Sequence, residues 1–309
     1  MCNHKINNMN LREEKKNLFS VVIPAYNEEG SIKSLIEEIE SLFIHWRKPF
    51  EIIVVDDGSS DSTINQIKKT NAKLVAFNKN YGQSSALNEG INRAEGDYII
   101  TMDGDGQNSP TDIPRMFKKM QKEGLDLICG ERRERKSKKS IKIGAKVAAK
   151  IRRIALDDKI TDSGCTLKIF TKDAAKSLNL FRGMHRFIPA LLNLDGYSIG
   201  EIEVNHRPRT SGQTKYNCLK YFPGTIGLLT VWRIKNNEKK HLFFLFYSLV
   251  ILLFIFGLIS LIMYDYILIN TLITISTLLI LVVVFFVEKD ARKHYNYTPK
   301  YKITKQIYE

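Results

Sequence analysis

Acidic side chains follow three apolar runs in the first third of the chain, at spacings that could bind a metal ion and a phosphate. Glu28 stands in PAYNE, Asp56 and Asp57 stand in VVDDGSSD, and Asp103 and Asp105 stand in TMDGDGQ. Asp103 and Asp105 can converge on one cation, to which Gln107 can add a neutral oxygen. Such hard oxygen ligands suit Mg²⁺ or Mn²⁺, which commonly bind substrate phosphates as well. The alternative is a set of ordinary turns, in which Asp and Gly are frequent, but three such clusters favour the metal site.

The elements that must position these side chains alternate between strands and helices. Apolar runs predict strands over 18–26, 51–55, 73–77 and 98–102, and amphipathic stripes predict helices over 31–43, 83–94 and 110–123. A further helix is expected to start near Asp61 or Ser62, and Ser109 and Pro110 are expected to open the last one. This alternation indicates an α/β fold with a mostly parallel sheet and helices on both faces. In such sheets ligands bind beyond the carboxyl ends of the strands, where all three acidic clusters lie.

Two uncharged apolar segments later in the chain predict a membrane hairpin. Residues 242–263 and 267–287 each exceed the roughly 20 residues that cross a hydrocarbon core. A pair of buried core helices is a weak alternative at this length and purity. Lys and Arg flank the outer ends whereas the connecting turn carries only Asp265, so we expect both termini and the front domain to be cytoplasmic. The expected organisation is a polar tail 1–16, a cytosolic α/β domain 17–218, an interfacial segment 219–240, the hairpin 241–288 and a basic cytosolic tail 289–309.

The formal net charge of +14 is concentrated in one segment, because residues 132–153 contain eleven Lys or Arg and one acid. Four apolar side chains recur there at helical spacing: Ile143, Val147, Ile151 and Ile154. They predict a basic amphipathic helix, either on anionic lipid headgroups or on an ordinary solvated surface. No aromatic and basic platform accompanies the charge, so we expect no nucleic-acid partner. The four cysteines form no C-x-x-C pair and indicate neither a zinc site nor a disulfide framework.

Five motifs, taken in order over residues 18–216, resemble glycosyltransferase family 2 in its polyprenyl-phosphate branch: VVIPAYNE, VVDDGSSDST, NYGQSSALNEGI, GDYIITMDGDGQNSP and RTSGQTKY. That branch includes dolichol-phosphate mannose synthase and bacterial undecaprenyl-phosphate glucosyl and formamido-arabinosyl transferases. NYGQ, DSGC and HRFIPALL look closest to the two bacterial types. The resemblance implies a GT-A fold and a metal-dependent, inverting transfer of a sugar from a nucleotide-sugar, preferably a UDP-sugar, to undecaprenyl phosphate. It also implies a homo-oligomer in the bacterial inner membrane, whose lipid bilayer is a further partner.

The resemblance assigns roles residue by residue. The nucleotide-sugar would be bound by Pro24, Tyr26, Glu28, Val55, Asp57, Asp103, Gly104 and Arg132. The metal would be held by Asp103, Asp105 and Gln107, and the catalytic set would be Asp105, Arg209 and Lys215. Asp162 and Arg135 would be weaker candidates on the acceptor side. One departure concerns the metal loop, because Gly104 and Gly106 make it looser than the D-A-D-L that is usual in the family.

Two other functions compete with this interpretation. A processive polysaccharide synthase would carry Q-x-x-R-W and more apolar spans, neither of which is present in the sequence. A catalytically inactive, membrane-anchored scaffold predicts loss of the acidic set, which is intact. His206 could suggest a general base, but a lipid phosphate has a second pKa near 6 and is largely ionised at pH 7. A structural or phosphate-contacting role for His206 is therefore the simpler prediction.

Overall fold

The chain folds as two compact units, residues 1–144 with 160–214 and 300–309, and residues 145–159 with 215–299. The computed structural model describes residues 17–132, 150, 152–156, 160–181, 183–208, 221–236, 248, 250–255, 267–296 and 303–307. The predicted polar tail 1–16, most of the basic amphipathic segment and most of the first apolar span lie outside the described residues. The first unit holds the acidic clusters.

An eight-stranded mixed sheet forms the centre of the first unit, in the order β7-β5-β6-β4-β1-β2-β3-β8. The strands are β1 Phe19–Ala25, β2 Phe50–Asp56, β3 Lys73–Phe77, β4 Tyr98–Thr101, β5 Leu127–Glu131, β6 Lys168–Thr171, β7 Ile199–Glu203 and β8 Ile303–Ile307. β1 is parallel to both β2 and β4, β2 is parallel to β3, and β5 is parallel to β7. β6 is antiparallel to β4 and β5, and β8 is antiparallel to β3. The predicted α/β fold with a mostly parallel sheet is confirmed.

β1 shows how the sequence produces a central strand that ends in a binding edge. Every residue of FSVVIPA is buried, as expected for a strand covered on both faces. Pro24 is tolerated because β4 pairs with β1 only as far as Val22, so the missing N–H of Pro24 lies past the last paired residue. On the other side β1 stays paired with β2 through Pro24 and Val55 to Ala25 and Asp56. The strands therefore diverge at the carboxyl edge.

The helices are α1 Ile32–Trp46, α2 Thr63–Ile67, α3 Gln83–Arg93, α4 Ile113–Glu123, α5 Lys172–Ser177, α6 Ile188–Leu194, α7 Tyr221–Lys235 and α8 Ile267–Asn296. The apolar stripe predicted for the first helix is buried in α1, which continues three residues further than expected to Trp46. The helix predicted from residue 110 begins instead with a 3₁₀ turn, Pro110–Asp112, and becomes α-helical at Ile113. Ser109 does not cap it, since its hydroxyl bonds Thr111 Oγ1 at 2.7 Å.

The C-terminal strand β8 is a feature that the sequence analysis did not predict. Its backbone pairs antiparallel with β3, from Leu74 opposite Ile307 to Phe77 opposite Ile303, with a bulge after Ala76. The stretch 303–307 was expected to belong to a basic cytosolic tail. It covers the outer edge of β3, which would otherwise expose a row of unpaired backbone groups.

Two helices dominate the second unit. α7 and α8 are joined by an ion pair in which Arg233 Nε lies 3.1 Å from Glu288 Oε2, and both side chains are largely shielded from solvent. α8 contains the whole second predicted span, 267–287, and continues to Asn296. Across the part of the chain that the structure describes, no helix meets the combined length and apolarity needed to span a bilayer.

α3 lies very close to the sheet at Gly90. A Cβ built on Gly90 would lie 2.3 Å from Val22 Cγ1 and 3.3 Å from Val55 Cγ2, both in buried strands. Contacts this short require a neighbour to move, and overpacking of a tight core typically costs 1–3 kcal/mol. Glycine at this position therefore fixes how close α3 comes to β1 and β2.

We expect Gly90→Ala to lower the free energy of unfolding by about 1–3 kcal/mol, because the new methyl group meets Val22. Val22→Ala should restore part of that loss, since it removes the atom that clashes, so the double variant should be more stable than the sum of single effects predicts. Thermal melting of the three purified variants measures this. Strictly additive losses would show that α3 does not press on β1 at Gly90.

Candidate active site

The acidic clusters meet at one edge of the sheet, as the topology requires. β4, β1 and β2 are adjacent and parallel, so their carboxyl ends lie side by side. Tyr26 and Glu28 follow β1, Asp57 follows β2, and Asp103 follows β4. Pro24 and Val55, the other two residues expected at the nucleotide, are register partners at the same edge. The structure thus brings together five of the residues expected at the donor and the first carboxylate expected at the metal.

Asp57 is bonded to a turn in the structure. Its two carboxylate oxygens accept hydrogen bonds from the backbone N–H groups of Tyr81, at 2.7 Å, and Gly82, at 2.8 Å. Burial raises the pKa of Asp57 to about 6, although both amide bonds lower it. The sequence analysis expected Asp57 to bind the nucleotide-sugar. The structure adds a role that it missed, which is to hold the turn before α3.

Asp103 is a buried carboxylate with another carboxylate and two cations nearby. Burial, together with the nearby Asp105 carboxylate, raises its pKa to about 6. A hydrogen bond with Thr166 and the cations of Arg132 and Lys168 act in the opposite direction. Desolvation and like charge thus outweigh the neighbouring cations here.

Two side chains hold the loop that carries Asp103 and Asp105. Gln83, the first residue of α3, donates from Nε2 to Asp103 Oδ1 at 2.7 Å. Ser31, just before α1, donates from its hydroxyl to the carbonyl oxygen of Gly104 at 2.9 Å. Neither residue was singled out in the sequence, although Gln83 belongs to the NYGQ motif. Each fixes one side of the Asp103–Asp105 loop.

The rest of the loop is held by its own backbone and by a neighbouring segment. Asp105 is buried, and its Oδ1 accepts the backbone N–H of Gln107 at 3.1 Å. Gly106 between them has a φ of 72°, a region that glycine adopts without strain. Gln107 donates from Nε2 to the carbonyl oxygen of Arg207 at 3.4 Å, so Oε1 is the side-chain atom it could offer to a cation.

This arrangement fits a divalent cation that also binds a ligand. Among the described residues, no group of three or more His, Cys, Asp or Glu side chains could hold a metal by itself. Asp103 and Asp105, however, repel each other enough to help raise the pKa of Asp103. A dication between them would relieve that repulsion, and Mg²⁺ usually takes one or two carboxylates and completes its shell with water and substrate phosphate.

Arg132 and Asp162 were expected to contact donor and acceptor separately, but the structure pairs them. Arg132 Nε lies 2.7 Å and Nη2 3.0 Å from the two oxygens of Asp162, a bidentate ion pair with only 10% and 19% of the side chains exposed. The residues that follow Asp162 are held by Lys168 of β6. Lys168 is buried, and its ammonium group donates to the carbonyl oxygens of Cys165 and Ser163. Lys168 is a basic residue that the sequence analysis missed.

The segment after β7 runs back along the Asp103–Asp105 loop. His206 forms an antiparallel bridge with Asn108, and Arg207 is held by Glu38 through two bonds of 2.8 and 2.7 Å. The backbone of His206 therefore helps to hold the segment after β7 against the acidic loop. Arg209, Lys215 and Arg135 lie outside the described residues.

Comparison with known proteins gives a consistent assignment. The family model described as glycosyl transferase family 2 matches residues 20–178. The chain is 36% identical over 221 residues to dodecaprenyl-phosphate galacturonate synthase of Rhizobium johnstonii, covering 69% of this chain and 65% of that protein. It is 35% identical over 223 residues to undecaprenyl-phosphate 4-deoxy-4-formamido-L-arabinose transferase of Proteus mirabilis, covering 70% and 68%. The matches therefore span about two thirds of these relatives.

Solved structures share the fold. Glucosyl-3-phosphoglycerate synthase from Mycobacterium tuberculosis, in complex with Mn²⁺ and UDP-glucose, superposes with a TM-score of 0.56 at 20% identity, over 70% of this chain and 79% of that one. The same enzyme in complex with UDP gives a TM-score of 0.53 at 20% identity, over 70% and 80%. These likenesses support the predicted GT-A architecture of the first unit.

We expect Gly104→Ala to be tolerated and Gly106→Ala to be harmful. A Cβ on Gly104 would make contacts of 3.4 Å or longer with Ile32 Cδ1 and the carbonyl oxygen of Pro24, which is ordinary packing. An alanine at Gly106 would be forced to a φ of 72°, at a cost of order 1–2 kcal/mol. Melting temperature and nucleotide binding of the two variants test this. Equal damage from both would mean that the loop needs glycine for a reason other than φ.

Asp103→Asn should stabilise the metal-free protein at pH 7.5 by roughly 1 kcal/mol, or about 2–4 °C in melting temperature. An acid whose pKa rises from 3.8 unfolded to about 6 folded binds protons on folding, so the wild type loses stability as pH rises through that window. Asparagine has no such dependence, because it does not ionise. Melting in EDTA at pH 7.5 and pH 5 measures both effects. The difference in melting temperature between Asp103→Asn and the wild type should be smaller at pH 5 than at pH 7.5. If Asp103→Asn melts below the wild type at pH 7.5, burial does not destabilise the ionised carboxylate.

Proposed function

Because the chain belongs to glycosyl transferase family 2, we propose that it transfers a sugar from a nucleotide-sugar to a polyprenyl phosphate. The acceptor is inferred from the relatives, since a dodecaprenyl-phosphate and an undecaprenyl-phosphate transferase match the chain at 36% and 35% identity. Residues 20–178, which the family model matches, include all the described carboxylates of the sheet edge. Undecaprenyl phosphate is therefore the acceptor to test first.

The chemistry of that acceptor explains why the edge carries metal-binding carboxylates rather than a general base. A lipid monophosphate is largely a dianion at pH 7, so its oxygen can attack without losing a proton. In the proposed step this oxygen bonds to the anomeric carbon as the bond from that carbon to the nucleoside diphosphate breaks, with inversion. Charge, rather than proton transfer, is the difficulty, because two anionic groups must approach each other.

Asp103, Asp105 and Gln107 would hold the divalent cation, Mg²⁺ or Mn²⁺, against the donor diphosphate. When bound, such a cation neutralises the charge that develops on the departing diphosphate. The nucleotide would be bound by residues at this edge of the sheet: Pro24, Tyr26, Glu28, Val55 and Asp57. A UDP-sugar is favoured, and the fold is one in which a solved enzyme binds UDP-glucose with Mn²⁺.

The basic residues are proposed to serve the acceptor phosphate. Arg132 stays bound to Asp162, so we assign this pair to shaping the acceptor side of the edge. Arg209 and Lys215 are proposed to bind phosphate groups directly, with Arg135 as a further candidate. Guanidinium groups suit this role because they can bind phosphate oxygens in a bidentate manner.

A polyprenyl acceptor places the reaction at a membrane, and we propose that residues 242–263 and 267–287 anchor the enzyme there as a hairpin. The pairing of β8 with β3 supports an even number of crossings, because the chain before and after the apolar segments enters the same sheet. The charge pattern favours the cytoplasmic side for that sheet.

The transfer reaction is tested with a panel of radiolabelled nucleotide-sugars and undecaprenyl phosphate, scored by label that moves into the lipid phase. We expect one donor to give a labelled lipid, and expect EDTA to abolish it. Asp105→Asn should reduce transfer at least 100-fold, because it keeps the shape of the loop and removes a charge worth several kcal/mol in the transition state.

Asp195→Asn is the matched control, since Asp195 is exposed at the end of α6 and the same substitution there should leave transfer unchanged. Label in the lipid phase that is indifferent to EDTA would contradict the metal assignment. No lipid label from any donor would contradict the proposed function.

A further inference from the structure

Four consecutive residues at the start of α3, residues 81–84, connect three parts of the proposed site, and we call them the 81–84 segment. The backbone N–H groups of its first two residues bind Asp57 after β2. Its third residue, Gln83, binds Asp103 after β4. Its fourth, Ser84, is buried and lies with its hydroxyl 2.7 Å from Nδ1 of His185. The 81–84 segment therefore joins the ends of two strands and the 3₁₀ turn at residues 184–187.

The backbone under Gln83 is fixed from both sides. Gly82, immediately before it, adopts a φ of 94°, which only glycine takes up readily, and both its N–H and that of Tyr81 are bound by Asp57. Further along α3, Gly90 lies so close to Val22 that the helix has no room to approach the sheet. The Gln83 side chain thus extends toward Asp103 from a rigid base.

The chemistry of the contact sets its direction. An ionised carboxylate only accepts hydrogen bonds, so the amide nitrogen of Gln83 must face Asp103 Oδ1 across the 2.7 Å contact. A neutral donor can orient the carboxylate without neutralising its charge. A lysine or arginine at the same point would instead compete with a cation for that charge.

We infer that Gln83 is a positioning residue for the proposed transfer reaction: it fixes the Asp103 carboxylate so that Asp103 and Asp105 can hold one divalent cation against the donor diphosphate. This inference rests on the proposed function. Without the amide, Asp103 keeps a single side-chain hydrogen bond, with Thr166, against the like charge of Asp105, so its carboxylate is less firmly oriented. Partners that orient metal-binding carboxylates typically contribute 10–100-fold to metal affinity or activity.

The test compares Gln83→Leu, which removes the donor at similar size, with Gln83→Asn, which keeps the amide but shortens the side chain. Gln66→Leu is the matched control, because Gln66 is half-buried on α2 and its side-chain oxygen accepts a hydrogen bond from Lys69 Nζ at 3.5 Å, away from the acidic loop. The full-length protein is used in detergent. Calorimetry measures UDP binding with and without Mn²⁺, and melting in EDTA measures the fold.

We expect Gln83→Leu to weaken Mn²⁺-dependent UDP binding 10–100-fold and to leave the weaker metal-free UDP binding and the melting temperature unchanged. Gln83→Asn should fall between Gln83→Leu and the wild type, and raising Mn²⁺ should restore part of the lost binding. Gln66→Leu should match the wild type. If lipid transfer is measured, Gln83→Leu should need a higher Mn²⁺ concentration than the wild type to reach its half-maximal rate.

Two results would overturn the inference. Mn²⁺-dependent binding within twofold of the wild type in Gln83→Leu would show that Asp103 needs no such support. Equal losses with and without Mn²⁺, together with a lower melting temperature, would make Gln83 a structural residue of α3. Failure of the proposed function has a different signature, in which the wild-type protein binds UDP with Mn²⁺ but transfers no label to lipid.

Discussion

Carboxylates that repel one another at a partly dehydrated sheet edge are the constraint on which the rest of the first unit depends. Parallel strands bring their carboxyl ends together, so acids that follow β2 and β4 must share one region. Burial raises the pKa of both Asp57 and Asp103 to about 6, which shows that holding these groups ionised is unfavourable. The surrounding donors limit this cost without removing the charge.

Asp57 and Asp103 receive their hydrogen bonds from different kinds of donor. Both oxygens of Asp57 accept backbone N–H groups, which cannot move without unfolding the turn, so this carboxylate is a fixed support. Asp103 is bound by side chains of Gln83 and Thr166 instead. Side-chain donors can adjust by small rotations. Such partners orient the carboxylate without neutralising it, which suits the cation-binding role that we propose for Asp103.

Much of this arrangement could be predicted from the sequence, because it depends on local patterns. The apolar run of β1 and the apolar stripe of α1 are recognisable from the sequence by their periodicity. The acidic residues are recognisable because they directly follow the apolar runs of the strands. The partners of those acids could not be predicted in the same way. Gln83 and Asp103 are twenty residues apart and meet only because β4 lies beside β1, over which α3 packs. The Arg132 and Asp162 pair was missed for the same reason, since it joins residues across a long connection.

β8 shows how a nonlocal contact can carry topological information that composition lacks. The sequence ITKQI has no strong strand pattern, and its pairing with β3 depends on an edge more than 200 residues earlier in the chain. The positive-inside rule argues for a common side of the two termini from flanking Lys and Arg alone. The backbone bonds between β3 and β8 lead to the same conclusion without reference to charge, because two strands of one sheet must lie on one side of any membrane. The two arguments rest on independent physics and support the proposed hairpin separately. If the apolar segments cross a membrane as proposed, a substitution that weakened the charge bias would still have to break the β3–β8 ladder before one segment could reverse its direction.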